Sequence, residues 1–160
     1  MGIPLVGHQG SAQKKMVTIN DAANFLGSFQ CGALGVFETS NMSAGRKNAL
    51  IIGVNGRHGS IRFDLERMNE LDVNFADEQS ETQGFRRIMV TQPEHAYIKN
   101  WWPAGHVIGW EHTFVHQIYE FFKAISEGYI PEPSFLDGLK CQEVVEAAAH
   151  ADETHQWVAV

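Results

Sequence analysis

The sequence predicts an α+β domain, an open and predominantly antiparallel β-sheet with helices packed on one face. Three observations point there. Between residues 22 and 91, short segments alternate apolar residues with polar or small ones, which is the period of a strand with one covered face. Glycine- and asparagine-rich turns separate these segments. A helical apolar period appears only after residue 109. One-sided strands joined by short turns favour antiparallel pairing.

The elements follow in order. Residues 1–18 mix Gly, Gln, Ser and Lys around Ile3-Pro4-Leu5-Val6 with neither period, and read as an irregular arm that starts in mid-domain. Residues 19–160 are expected to form the domain proper. Phe25 and Phe29 alternate with polar or small neighbours from Ala22 on, and Gln30-Cys31-Gly32-Ala33 turns the chain into a second hairpin strand, Leu34 to Thr39. Ala49 to Val54 is β-branched, and Asn55-Gly56-Arg57-His58-Gly59 connects it tightly to Ser60–Leu65, with Ile61, Phe63 and Leu65 on one face and Arg62 and Asp64 on the other. Leu71, Val73 and Phe75 repeat the alternation against Asp72 and Asn74, and Phe85 to Thr91 is one more strand. Pro93 to Gly109 is a long aromatic loop; its length marks it as functional or disordered, and Tyr97, Trp101 and Trp102, with Trp110 after it, argue against disorder. Residues 110–127 place Phe114, Ile118, Phe121, Phe122 and Ile125 on one stripe of an amphipathic helix ended by Gly128. Ser134 and Asp137 open a second helix to about Glu153, with Cys141, Val144, Val145 and Ala148 as its buried stripe. Trp157 to Val160 suits a short last strand.

A chain of 160 residues with 44% hydrophobic and 19% charged residues fits one domain and has no room for a nucleotide domain beside a catalytic one. Twelve basic against nineteen acidic residues leave a formal net charge of −7, a field that repels phosphate backbones and anionic lipid, so nucleic-acid and membrane partners are not expected. No apolar run approaches the roughly 20 residues that cross a bilayer, and Met1 to Leu5 lacks the basic start and apolar core of an export signal. Cys31 and Cys141 are far apart without CxxC spacing, as befits reduced thiols in a cytoplasmic protein, and Cys141 reads as packing.

Chemistry-bearing patterns are few. Glu111-His112 and His116 put two histidines four residues apart near His106, a spacing zinc uses, but HExxH is absent and the pair lies opposite the Phe114 stripe. A solvated or interface face is the preferred reading. GxGxxG, Walker and GxSxG patterns are missing, so neither nucleotide binding nor acyl transfer is legible. Gly53 to Gly59 joins two strands and reads as a hairpin turn, and Glu38, Glu66 and Glu70 read as surface carboxylates rather than paired acids. Two segments remain. Ala44-Gly45-Arg46-Lys47-Asn48 brings cations and an amide to a strand mouth, and Trp101-Trp102-Pro103-Ala104-Gly105-His106 sets broad aromatic faces beside an imidazole. Amides, guanidinium and imidazole over apolar ring faces suit sugars and cyclitols. A surface cation pair, and a core plug or subunit contact, are the competing readings.

Together these residues resemble the second domain of the glucose-fructose oxidoreductase, inositol dehydrogenase and rhizopine-catabolism (Gfo/Idh/MocA) family. The matching stretches are Val17-Thr18-Ile19-Asn20-Asp21-Ala22-Ala23, Gly45-Arg46-Lys47-Asn48, Asn55-Gly56 through Leu65-Glu66-Arg67-Met68-Asn69-Glu70-Leu71, Gly84-Phe85-Arg86-Arg87-Ile88, Gly105-His106 through Thr113-Phe114, and Asp137-Gly138-Leu139. They cover nearly everything from Val17 on, and the combination is specific although each piece is short.

The resemblance implies an open sheet whose free face packs on a partner subunit and whose edge closes over the nicotinamide of a preceding Rossmann domain. That domain would hold NAD or NADP, the Gly-rich loop and the catalytic lysine, so this chain is expected to lack cofactor, metal and catalytic residues and to be inactive alone. Arg46 and Asn48 look like the family's substrate-facing position, with Trp102 and His106 joining from the loop. The partners so implied are a second copy of the chain, the Rossmann domain and a polyol. Ser40-Asn41-Met42 stands where many relatives carry an Arg near the end of the second hairpin strand, which leaves the substrate open. A stand-alone binding or dimerisation module is the alternative, and a metal-dependent hydrolase using His106, His112 and His116 comes third.

Overall fold

A computed structural model describes residues 19–160; the arm expected over 1–18 lies outside them. The architecture is α+β, as expected, with two antiparallel sheets and two long helices. The chain divides into two compact units, one made of the segment up to Arg46 together with Val144–Val160, the other of Lys47–Glu143.

The first unit is organised by a hairpin, β1 (Ala22–Ser28) against β2 (Leu34–Ser40). Phe25 and Phe37 are cross-strand partners with stacked rings 4.7 Å apart. Gly32 sits at φ +86°, a backbone state that glycine adopts without penalty, and its N–H closes the turn on the Phe29 carbonyl. At the open end the Asn41 N–H donates to the Asp21 carbonyl. Among the described residues neither strand pairs with a third, so the expected antiparallel architecture comprises a two-stranded and a four-stranded sheet.

The second unit holds the four-stranded sheet in the order β3 (Ile51–Gly56), β4 (Gly59–Asp64), β5 (Glu70–Phe75) and β6 (Arg86–Met89). Register sorts its side chains as the alternation requires. Ile52 and Val54 pair with Phe63 and Ile61, which pair with Leu71 and Val73, and Leu71 pairs with Ile88; this is the apolar face. The opposite face carries Arg62, Asp72 and Arg87 side by side across three strands. Arg87 Nε lies 3.0 Å from both Asp72 Oδ1 and Glu70 Oε2, Arg67 reaches Glu70 at 2.7 Å, and Arg62 stands 3.9 Å from Asp72. The hydrogen bond from Arg87 holds the Asp72 carboxyl below its ordinary range. Leu65, expected to continue β4, instead starts a 3₁₀ turn over Leu65–Arg67, capped by Asp64 Oδ1 accepting the Glu66 N–H at 3.1 Å.

Helix α1 (Trp110–Glu127) ends at Gly128, whose φ of +74° is the left-handed state expected there. Helix α2 (Phe135–Thr154) begins where Ser134 and Asp137 foretell it: Asp137 Oδ2 accepts from the Ser134 N–H at 2.7 Å and its hydroxyl at 2.8 Å. Those bonds keep the Asp137 carboxyl low.

Three expectations fail. Cys141, Val144 and Val145 are exposed and no residue of α2 is buried, so its apolar stripe marks a surface, and Cys141 is not packing. The α1 stripe of Phe114, Ile118, Phe121, Phe122 and Ile125 is likewise exposed, while the helix buries His112 and Ala124. Trp157–Val160 forms no strand; both its ends are exposed and no ladder among the described residues receives it.

Candidate functional site

The strand mouth is an irregular segment leading into β3. A bond from the Arg46 N–H to the Ser43 carbonyl (3.1 Å) folds its first half, with Gly45 at φ +88°. The second half is held from across the chain: the N–H groups of Lys47 and Asn48 both donate to Glu66 Oε1 at 3.3 Å. The Asn48 side chain is exposed. The Arg46 guanidinium is exposed too and makes no ion pair among the described residues.

The aromatic loop is ordered by local turns and by one buried plug. Ile98 is 2% exposed and its carbonyl accepts the N–H groups of Trp101 (3.0 Å) and Trp102 (3.3 Å). Gly105, at φ +86°, donates to the carbonyl of the buried Thr91 at 3.0 Å, which ties the loop tip to the end of β6. His106 Nδ1 sits 2.9 Å from the Pro103 carbonyl. A carbonyl can only accept, so Nδ1 carries the proton and the exposed Nε2 presents a lone pair. Trp102 is 47% exposed, its ring set edge-on to His112 with the ring centres 6.4 Å apart. Trp102 and His106 thus share one structured loop.

The inner wall of this loop is α1, through the face read as solvated. His112 is 8% exposed; its Nδ1 accepts the Gly109 N–H at 3.1 Å, a side-chain cap on the helix start. His116 Nε2 accepts the Trp101 indole N–H at 2.7 Å, and Tyr97 stacks on His116 at 4.2 Å while donating its hydroxyl to Glu120 at 2.9 Å. That hydrogen bond and burial push the Tyr97 hydroxyl up, and burial followed by the neighbouring His112 pulls His116 down. The two histidines are therefore spent as acceptors inside an aromatic cluster, which corrects their placement on an outward face. Among the described residues no three His, Cys, Asp or Glu side chains converge as a metal site.

The four predicted site residues fall into two sets, Arg46 and Asn48 at the strand mouth and Trp102 and His106 in the loop. No hydrogen bond or ring contact joins the sets among the described residues. Sequence reading missed Glu66 as the anchor of the strand mouth, Asn69, whose amide bonds the N–H and carbonyl of Ile108, as the anchor of the loop base, and Tyr97, itself bonded to Glu120, as the partner stacked on His116. A carboxylate three residues before an amide has no period to betray it; only its bonds do.

Residues 6–160 match the oxidoreductase family described as its C-terminal alpha/beta domain, Gfo/Idh/MocA. The chain belongs to this family. Levoglucosan dehydrogenase of Pseudarthrobacter phenanthrenivorans is 35% identical over 152 residues, which are 94% of this chain and 39% of that enzyme. Among solved structures, an oxidoreductase domain protein from Kribbella flavida superposes with TM-score 0.88 at 48% identity, over 97% of this chain and 40% of that one. Levoglucosan dehydrogenase in complex with NADH and levoglucosan superposes with TM-score 0.86 at 35% identity, over 92% of this chain and 40% of its own. The chain thus spans about two-fifths of the length of these relatives.

Proposed function

We propose that this chain is the substrate-side and assembly domain of an NAD(P)-dependent dehydrogenase acting on a carbinol or carbonyl of a sugar or cyclitol. The observation that carries the reading is the family match over 6–160, joined to a 35% identical relative whose structure holds NADH and levoglucosan, a ring polyol. On this reading the grip on the dinucleotide lies outside the described residues. Every strand pair is antiparallel, and none forms the parallel strand–turn–helix unit with a Gly-rich turn that grips a dinucleotide. What these residues do is bind and orient the polyol. Arg46 and Asn48 donate to its hydroxyls, His106 Nε2 accepts from one, and Trp102 offers an apolar ring face.

The assembly half of the reading has its own support. Ile52, Val54, Ile61 and Phe75 on the apolar sheet face are each at least partly exposed, an area that a second copy of the chain would cover as a homo-oligomer. Sedimentation at about tens of micromolar chain, where weak interfaces still form, is expected to show a dimer or larger species. A strict monomer there removes this half.

For the substrate half, the full-length protein is assayed with NAD⁺ and NADP⁺ against levoglucosan and a panel of sugars and cyclitols. Cofactor reduction with at least one polyol is expected. Arg46→Ala and His106→Ala should each lower kcat/KM roughly ten- to a hundredfold, because a charged or precise polar contact to a buried ligand is lost, with cofactor affinity unchanged. No turnover with any polyol, or wild-type kinetics in both variants, overturns the reading.

A further inference from the structure

The connector between β4 and β5 makes bonds out of proportion to its length. At its start the Leu65 N–H donates to the Leu50 carbonyl at 2.9 Å, fixing the entrance of β3. Glu66 Oε1 then gathers the Lys47 and Asn48 N–H groups, 3.3 Å each. At its end Asn69 engages one residue with both ends of its amide: Nδ2–H donates to the Ile108 carbonyl at 2.8 Å, and Oδ1 accepts the Ile108 N–H at 3.0 Å. The amide fork copies one rung of a β-ladder where no strand exists. The Asn69 main-chain carbonyl also accepts the Val90 N–H at 2.9 Å, just before the aromatic loop starts.

Both clamped segments are otherwise irregular. Residues 41–50 carry no strand pairing, and Ile108 lies between the last turn of the aromatic loop and α1. The bonds of Asn48 and Ile108 to the rest of the second unit run to this connector. Resting on the polyol reading above, we infer that Glu66 and Asn69 are positioning residues of the substrate site: one short connector holds the strand mouth that presents Asn48 and the base of the loop that presents Trp102 and His106. Neither Glu66 nor Asn69 need touch the polyol. Their effect is to hold two sets of donors and acceptors, which do not bond to each other, at one spacing, so that a ring can meet both without first ordering them.

Amide hydrogen exchange on the 160-residue chain tests the clamps without any activity. Glu66→Ala should speed exchange at Lys47 and Asn48 but not at Ile108, and Asn69→Ala should do the reverse. Glu66→Gln, which keeps a carbonyl acceptor, should restore most of the protection. In the full-length enzyme, each alanine variant should raise KM for the polyol roughly tenfold with kcat, cofactor KM and melting temperature nearly unchanged, and Glu66→Gln should recover most of that loss. Wild-type exchange at Lys47, Asn48 and Ile108 in the alanine variants overturns the inference, as does an unaltered polyol KM in an enzyme whose wild type turns over polyols. A wild type that turns over no polyol is a separate result, visible before any substitution; it defeats the proposed function and this inference with it.

Discussion

Within the second unit, the β3–β6 sheet and the loop–α1 assembly solve the same problem in opposite ways. In the sheet, Arg62, Asp72 and Arg87 neutralise one another across three strands on one face, while Val73 is buried on the other, which is apolar except where Arg86 lies over Phe75 at its margin. In α1 the covered face is the polar one. His112 and His116 lie under Trp101 and Tyr97, and the phenylalanine stripe faces outward. The difference shows that burial follows the cover that the chain supplies. A loop rich in indole and phenol has polar edges as well as apolar faces, and it satisfies imidazoles that an aliphatic cover would strand. An amphipathic pattern states that a helix has two unlike faces, and its surroundings decide which is inside.

The sharpest test sets Ile98→Ala beside Phe122→Ala. Ile98 is 2% exposed and Phe122 63%. Truncating the buried plug should cost about 2 to 5 kcal/mol in urea unfolding of the chain, against less than about 0.5 for the exposed ring. Equal losses would mean that the stripe is covered in solution and would break the comparison. On the sheet side, Gly59 opens β4 at φ +153°, just after the two-residue turn Arg57-His58, and an added Cβ there would run into the Asn74 carbonyl. Gly59→Ala should cost about 1 to 3 kcal/mol through strained backbone and crowding, and differential scanning calorimetry would read it. Trp101→Phe removes the indole donor to His116 and keeps most of the ring; about 1 kcal/mol is expected from the same unfolding assay, and no loss would show that the hydrogen bond does not order the loop.

The smallest effect is a pH dependence that should belong to the loop–α1 side alone. Burial, then the nearby His112, lowers the His116 pKa in the fold, while Glu120 opposes them. The unfolded state then binds more protons than the folded one as pH falls below the ordinary histidine value of about 6.5. The stabilisation from neutral His116 is complete above that value and declines as pH drops toward the lowered folded pKa. An imidazolium has no lone pair for the Trp101 N–H, so Trp fluorescence should change across this window. Around the pair, Glu111 lies 3.3 Å from His112 Nδ1, and the Lys123 ammonium is raised chiefly by Glu127; His116→Gln should abolish the His116 component of the transition. A transition unchanged in that variant would assign it elsewhere.

The sheet is legible in the sequence because its information is local. Alternation at Ile61, Phe63, Leu71 and Val73 and the glycines around Arg57-His58 dictate register without reference to distant residues. The boundaries of α1 and α2 are legible for the same reason, through Gly128 and the Ser134–Asp137 pair. Which way α1 faces is not, since it depends on Trp101 and Tyr97 docking from a loop without a period. The candidate ligand residues could be picked by type, Arg46 and Asn48 for donors, Trp102 and His106 for a ring face and an acceptor. The residues holding them, Glu66 and Asn69, look in sequence like any surface acid and any turn amide.

The two margins of the four-stranded sheet differ in kind. The outer strand β6 carries Arg86, stacked over Phe75 at 5.2 Å and paired with Glu78, and beside it Arg87. The other outer strand, β3, reads Ile-Ile-Gly-Val-Asn-Gly without a charge, and among the described residues no strand pairs along its far side. An outer strand offers a row of unpaired N–H and C=O groups to any extended chain, and charge is the usual deterrent. Among the described residues, charge therefore deters strand addition at one margin and not at the other. Aggregation of the heated or agitated protein would start from β3, and a single gatekeeper there, Asn55→Lys, is the least invasive way to close it.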